Sequence, residues 1–169
     1  MIETIIFNGK EYPKFQGEGF AAKFAFPFAK EILKGAGVDV GCNRLEWSFP
    51  GSFPVDPVID PNYNAMSLPR NFEDADGKWD YIFSSHCLEH VPDWTKTLNY
   101  WRTMLKDGGV LFLYLPHYSQ EYWRTWNNQK HIHNLHPFVM KDYFEFTQWS
   151  KVFVSENDLN NSFYVVVQK

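Results

Sequence analysis

Apolar residues recur along the chain at two periods. Residues 20–34 carry Phe20, Phe24, Phe28 and Ile32 four apart, which marks one face of a helix. Pro27 falls inside that stripe, so the helix either kinks or begins there, and Gly35 and Gly37 end it. Residues 93–106 give the clearest helix. Asp93 is a good N-cap, Leu98, Trp101 and Leu105 form the apolar face with Met104 beside them, and Gly108-Gly109 stops it. A further amphipathic helix is expected over 137–149. Three short runs are apolar without alternation: 38–40, 79–84 and 110–115. Such runs suit strands covered on both faces, as in parallel sheets. Residues 45–69 are irregular and rich in proline, with two short strands expected near 53–56 and 64–66 and little helix. The end, KVFVSENDLNNSFYVVVQK, reads as two antiparallel strands around a polar turn. Residues 2–16 read as an extended arm or hairpin that turns at Asn8-Gly9.

Strands alternating with helices predict an α/β layered fold with a mostly parallel sheet. The 169 residues fit one domain, 1–169, with 1–20 as an N-terminal arm or lid. Hydrophobic residues at 44% and charged residues at 21% are ordinary for a globular chain, whereas aromatics at 19% are abundant. A net charge of −4 without a basic run argues against a nucleic-acid partner or a membrane surface. No stretch approaches the roughly 18–20 apolar residues of a membrane span. Cys42 and Cys87 lie far apart, which suggests a reducing, cytoplasmic compartment, and the N-terminus does not read as a signal peptide.

In a parallel sheet, ligands bind beyond the carboxyl ends of the strands. Gly41 follows the first such strand and lets a ligand approach the backbone. Asp56 follows the second and offers a carboxylate to a pair of hydroxyls, and Asn64 offers an amide to a base edge. Read together, these loci resemble a class I S-adenosylmethionine-dependent methyltransferase of the small type-11 kind. DVGCN at 39–43 resembles the family's D-x-G-x-G cofactor loop, and SFPVDP at 52–57 its second strand with the ribose-binding acid. NAMSLP at 64–69 resembles its D-A-x-x-L-P adenine loop. WDYIFSSHCLEHVPDW at 79–94 resembles the fourth strand and following helix, and LKDGGVLFLYLPH at 105–117 the fifth strand.

The resemblance implies a Rossmann-like methyltransferase fold with an antiparallel C-terminal strand and S-adenosyl-L-methionine as cofactor. Crossover helices are shortened in the first half, because 57–63 is too short to hold one. It implies that Asp39, Gly41, Cys42 and Asn43 shape the methionine-end loop, that Asp56 with Pro57 holds the ribose, and that Asn64, Ala65 and Met66 face adenine. Ser85 and His86 are implied near the sulfonium or the acceptor. The chain departs from the pattern at Asn43 and Leu45, where the family has glycines, and at Asn64, where aspartate is usual.

Histidines supply the remaining chemistry. His117 follows the fifth strand and, with His86, is a candidate general base; the plain alternative is a loop histidine with satisfied hydrogen bonds. His86-Cys87-Leu88-Glu89-His90 fits H-x-x-E-H, a zinc pattern when both histidines share a helix face. Here the letters straddle a strand end, so the family's ordinary turn is the better reading and no metal is expected. His131, His133 and His136 form a denser cluster, which suits either a metal or, as the plainer reading, a polar loop with one histidine reaching the substrate. Tyr12, Phe15 and Phe20 either close over the cofactor or belong to a surface strand.

The expected activity is methyl transfer to an oxygen or nitrogen of a small-molecule or glycan-like acceptor, a homo-oligomer being left open. A non-catalytic module that keeps the fold is the alternative. A nicotinamide-dependent dehydrogenase is disfavoured, because 41–46 lacks two of the three fingerprint glycines.

Overall fold

The computed structural model describes residues 3–14 and 19–169. Phe15, which the sequence places on the arm, lies outside them. The main sheet is built from β3 (Gly37–Val40), β4 (Phe53–Val55), β5 (Trp79–Ser85), β6 (Leu105–Pro116), β7 (Ser150–Val154) and β8 (Ser162–Gln168). Its order is β4-β3-β5-β6-β8-β7. The first four strands are parallel, and β8 and β7 are antiparallel. The connections β3 to β4 and β4 to β5 hold no α-helix among the described residues, only the 3-10 turn Leu45–Trp47 and tight turns. No described helix is long and apolar enough to cross a membrane.

Side chains alternate across the sheet and give each face its own core. Tyr81, Phe83, Phe112 and Tyr114 point to one face with Phe49, beneath α1 (Ala22–Ile32). The stripe pressed deepest is Ala21, Ala25, Ala29 and Leu33 rather than the phenylalanines. Alanine lets the helix axis approach the bulky aromatic face, and Phe24, Phe28 and Ile32 flank the contact. Pro27 sits inside α1, which runs through it at the loss of the N–H that would reach Lys23. Ile82, Leu111, Leu113 and Leu115 fill the other face. They lie against Leu98 and Trp101 of α2 (Trp94–Met104) and Met140 and Phe144 of α3 (Pro137–Glu145). Asp93 caps α2 through the Lys96 N–H at 2.9 Å.

Two expected elements differ. Helix α3 stops at Glu145 instead of reaching 149, and the Thr147 hydroxyl bonds back to the Tyr143 carbonyl at 2.6 Å. Residues 64–66 form no strand. Asn64 Oδ1 accepts the Met66 N–H at 2.8 Å, which closes an Asx turn and leaves a single bridge to Ser67. The N-terminal hairpin pairs β1 (Thr4–Phe7) with β2 (Lys10–Pro13), with Asn8 and Gly9 both left-handed as a two-residue turn requires. It docks beside the segment after β6, through Phe7 and Tyr12 on the Tyr122 ring and Lys10 on Glu121 at 2.7 Å.

Candidate functional site

The carboxyl ends of β3, β4 and β5 open into a cleft of about 860 Å³. Of the residues expected there, Gly41, Asn43, Asp56 and His86 line it. Gly41 has φ +85°, and a Cβ at this position would lie 2.5 Å from Cys87 Cβ, so only glycine lets the β3 and β5 loops meet. Asn43 is left-handed too, at φ 64°, and thus keeps the backbone that a glycine would give. Leu45 is 64% exposed and opens the 3-10 turn, beyond the tight bend at Gly41 to Asn43.

Asp56 joins two loops. Its Oδ2 accepts the Asn43 N–H and its Oδ1 the Val58 N–H, each at 2.9 Å. Asp39 is buried under the first loop, where its Oδ2 accepts the Phe49 N–H at 2.6 Å. Burial, with the nearby charge of Asp56 adding, pushes its carboxyl up to about 7.

Several expected residues lie outside the cleft lining. Cys42, Pro57 and Ser85 are neighbours in sequence of residues that line it. Asn64, Ala65 and Met66 are held on the flank against α2: the Ala65 carbonyl accepts the Trp101 indole N–H at 2.7 Å, and Thr97 reaches the Met66 sulfur. His117 is buried with Nδ1 on the Ser119 hydroxyl at 2.8 Å, and it faces a smaller recess shared with Tyr118 and His133.

The far wall comes from 117–140, the stretch from which, with the N-terminal arm, the sequence draws an acceptor pocket, but apart from His131 its individual residues are not singled out there. Tyr122, Trp123, Lys130 and His131 form it, with three amides, Asn127, Asn128 and Gln129. The only local signal is the run NNQ at 127–129. The histidines of 131–136 disperse: His136 stacks on Tyr118, His133 bonds the Val91 carbonyl at 2.9 Å, and His131 turns inward.

His131 meets a different group. Glu89 is fully buried beneath the cleft, in the 3-10 turn Leu88–His90. Its Oε1 lies 3.9 Å from His86 Nδ1, 3.8 Å from His90 Nε2 and 3.9 Å from His131 Nε2. Burial pushes the Glu89 carboxyl up to about 8 and the His86 and His131 rings down to about 3; the other imidazoles add to the latter shifts. His86 is itself left-handed, at φ 48°, with Nε2 on the Ser162 hydroxyl at 3.1 Å.

A family model described as a methyltransferase domain matches residues 17–156, most of the chain. No curated protein matches in sequence. Among solved structures, a SAM-dependent methyltransferase of Archaeoglobus fulgidus superposes with a TM-score of 0.66 at 17% identity, covering 92% of this chain and 96% of its own. A SAM-dependent methyltransferase of Thermotoga maritima gives 0.62 at 17%, covering 91% of each chain. The N-methyltransferase NodS of Bradyrhizobium japonicum, solved with S-adenosyl-L-homocysteine, gives 0.55 at 13%, covering 92% and 87%. These likenesses carry the fold, and the family model carries the membership. The chain belongs to the methyltransferase-domain family.

Proposed function

We propose that the chain transfers a methyl group from S-adenosylmethionine to an oxygen or nitrogen of a small-molecule or glycan-like acceptor. One observation carries this reading: the glycine loop and Asp56 share a single cleft with the amide-rich wall of 127–129. The cleft volume falls within the range of small-molecule sites. Asp56 spends one acceptor site of each oxygen on a backbone N–H, and a carboxylate has about four. The remaining two suit a ribose diol. Gly41 and left-handed Asn43 let a ligand lie close to the backbone.

When bound, the cofactor supplies a methyl already activated by its sulfonium. The chain's own task is alignment, which is where proximity gains its effect. Tyr122 and Trp123 offer flat apolar walls that exclude water, and the three amides donate to and accept from acceptor hydroxyls. His86 faces the acceptor as a neutral ring that orients it; with the imidazole near 3 it is too weak a base for proton removal at neutral pH. His117 positions the turn after β6 through Ser119.

Calorimetric titration of S-adenosylmethionine and S-adenosylhomocysteine tests the reading. Micromolar binding is expected, weakened about tenfold or more by Asp56→Ala and by the near-isosteric Asp56→Asn, as loss of a charge-assisted hydrogen bond requires. A folded wild type that binds neither ligand overturns it.

A further inference from the structure

Glu89 poses a problem that methyl transfer leaves unsolved. Both its carboxylate oxygens are buried and make no hydrogen bond to another side chain or backbone group among the described residues. A buried polar group without partners costs free energy, and a carboxylate costs more than most. Three imidazole nitrogens stand 3.8–3.9 Å from Oε1, too far for hydrogen bonds. Around an ion bound at roughly 2.1 Å, ligand atoms in a tetrahedral shell stand about 3.4 Å apart. The Glu89-to-imidazole edges are longer than that by about half an ångström, and the remaining spacings stay within 4.8 Å, so small side-chain rotations would close the cluster on an ion.

We propose that Glu89, His90 and His131, with His86 beside them, form a binding site for a divalent first-row transition-metal ion at the acceptor end of the cleft. One ligand atom from each of Glu89, His90 and His131 lies within 4.8 Å of the others. The surroundings fix these atoms. His90 Nδ1 is 2.7 Å from the Lys130 carbonyl and must carry the proton there, which leaves the Nε2 lone pair facing Glu89. His131 is held flat on Trp123, centroids 5.1 Å apart and planes 9° apart. The two segments are pinned together by backbone, since the Ile132 and His133 N–H groups both donate to the Glu89 carbonyl, at 3.0 and 3.2 Å. His86 is kept in a left-handed conformation that costs a non-glycine residue energy, and such strain persists where the surroundings impose it.

The H-x-x-E-H letters thus return in another geometry. They hold no shared helix face; the strand end, the 3-10 turn and a segment some forty residues on bring the donors together. Imidazole with one carboxylate suits zinc, manganese, iron or cobalt, whereas magnesium and calcium take oxygen shells. His86, His90 and His131 also line the cleft, so open coordination positions face it and would take an oxygen of the acceptor. That use of the ion rests on the methyl-transfer reading; the binding does not.

The test uses the full chain after chelator treatment and dialysis. Zinc, manganese and cobalt are titrated by calorimetry, cobalt also by its visible d–d bands, with magnesium as control. One ion per chain is expected, with micromolar or tighter zinc affinity and no magnesium binding. Glu89→Gln and His131→Gln should each weaken zinc binding about tenfold or more. His90→Gln, at a half-exposed ring, serves if the buried variants do not fold, and His136→Gln should change nothing. No uptake of zinc, manganese or cobalt at about 1 mM overturns the site. So does zinc binding that survives in the folded variants among Glu89→Gln, His131→Gln and His90→Gln. S-adenosylhomocysteine titrated into the same sample separates the readings: cofactor bound without metal defeats the metal site alone, and metal bound without cofactor defeats methyl transfer alone.

Discussion

The two ends of the parallel sheet carry clefts of nearly equal size, about 850 Å³ at the amino end and about 860 Å³ at the carboxyl end. At the amino end a cation and two carboxylates satisfy one another. Lys106 bonds Asp74 at 2.8 Å and Asp80 at 2.9 Å, and Asp80 accepts the Ala36 N–H with its other oxygen at 2.8 Å. At the carboxyl end polar groups are left over: both oxygens of Glu89, the Trp123 indole N–H and the Ser85 hydroxyl are buried and find no partner among the described residues. Volume does not distinguish the two ends. The hydrogen-bond accounting does, because native interiors leave few polar atoms unpaired without a functional reason.

The contrast sharpens most through Asp39, which is buried at the carboxyl end. Its carboxyl sits at about 7 in the folded chain against 3.8 unfolded, so the folded state binds more protons between those values. Stability should fall as pH rises from about 4 to about 7, by at most about 4 kcal/mol. Urea midpoints for wild type minus Asp39→Asn across that window should show the slope. A difference that is flat with pH would place the ionised form in the fold without penalty.

Glycines give the next largest effect. Gly41 and Gly51 are both left-handed, at +85° and +87°, but a Cβ at 41 strikes Cys87 while one at 51 meets nothing within 4 Å. Gly51 lines the amino-end cleft. Gly41→Ala should therefore cost about 2–3 kcal/mol and abolish cofactor binding, whereas Gly51→Ala should cost about 1 kcal/mol and leave binding intact. Equal losses, read from denaturant melts, would break the comparison. The smallest effect is expected at Lys106. Lys106→Met removes the central cation of the amino-end cleft and should leave the S-adenosylhomocysteine Kd within about twofold, since exposed ion pairs act locally. A larger change would put the ligand at the wrong end of the sheet.

Most of the sheet was legible, because its strands are continuous apolar runs that nothing else in the chain resembles. The tight bend at DVGCN was legible as well, since it lies in consecutive residues, with Gly41 and Asn43 both left-handed. The failures share a cause. At 64–66 the sequence offers strand-like spacing, but the Asn64 side chain captures the Met66 N–H first. In α1 the spacing of four is right, yet alanines rather than phenylalanines press on the sheet, because the facing residues Phe83 and Phe112 already fill the volume. The 131–136 histidines looked like one group and separate, while His131 joins His86 and His90, some forty residues earlier in the chain. Such a grouping depends on tertiary approach, which local patterns do not encode.

The two left-handed residues of the cleft, Asn43 and His86, would respond differently to directed evolution. Under selection for heat resistance, glycine is an acceptable replacement at 43, since it removes the steric cost of positive φ, whereas at 86 the nearly buried ring and its bond to Ser162 outweigh that gain. At 43 the exchange keeps what the loop supplies, because the backbone N–H to Asp56 does the binding work there. At 86 it deletes the ring. A library enriched for thermal survival, and equally one enriched for turnover under the proposed function, would therefore accept glycine at 43 and hold histidine at 86. Sequencing both outputs at these two codons would separate the residue kept for its conformation from the residue kept for its side chain.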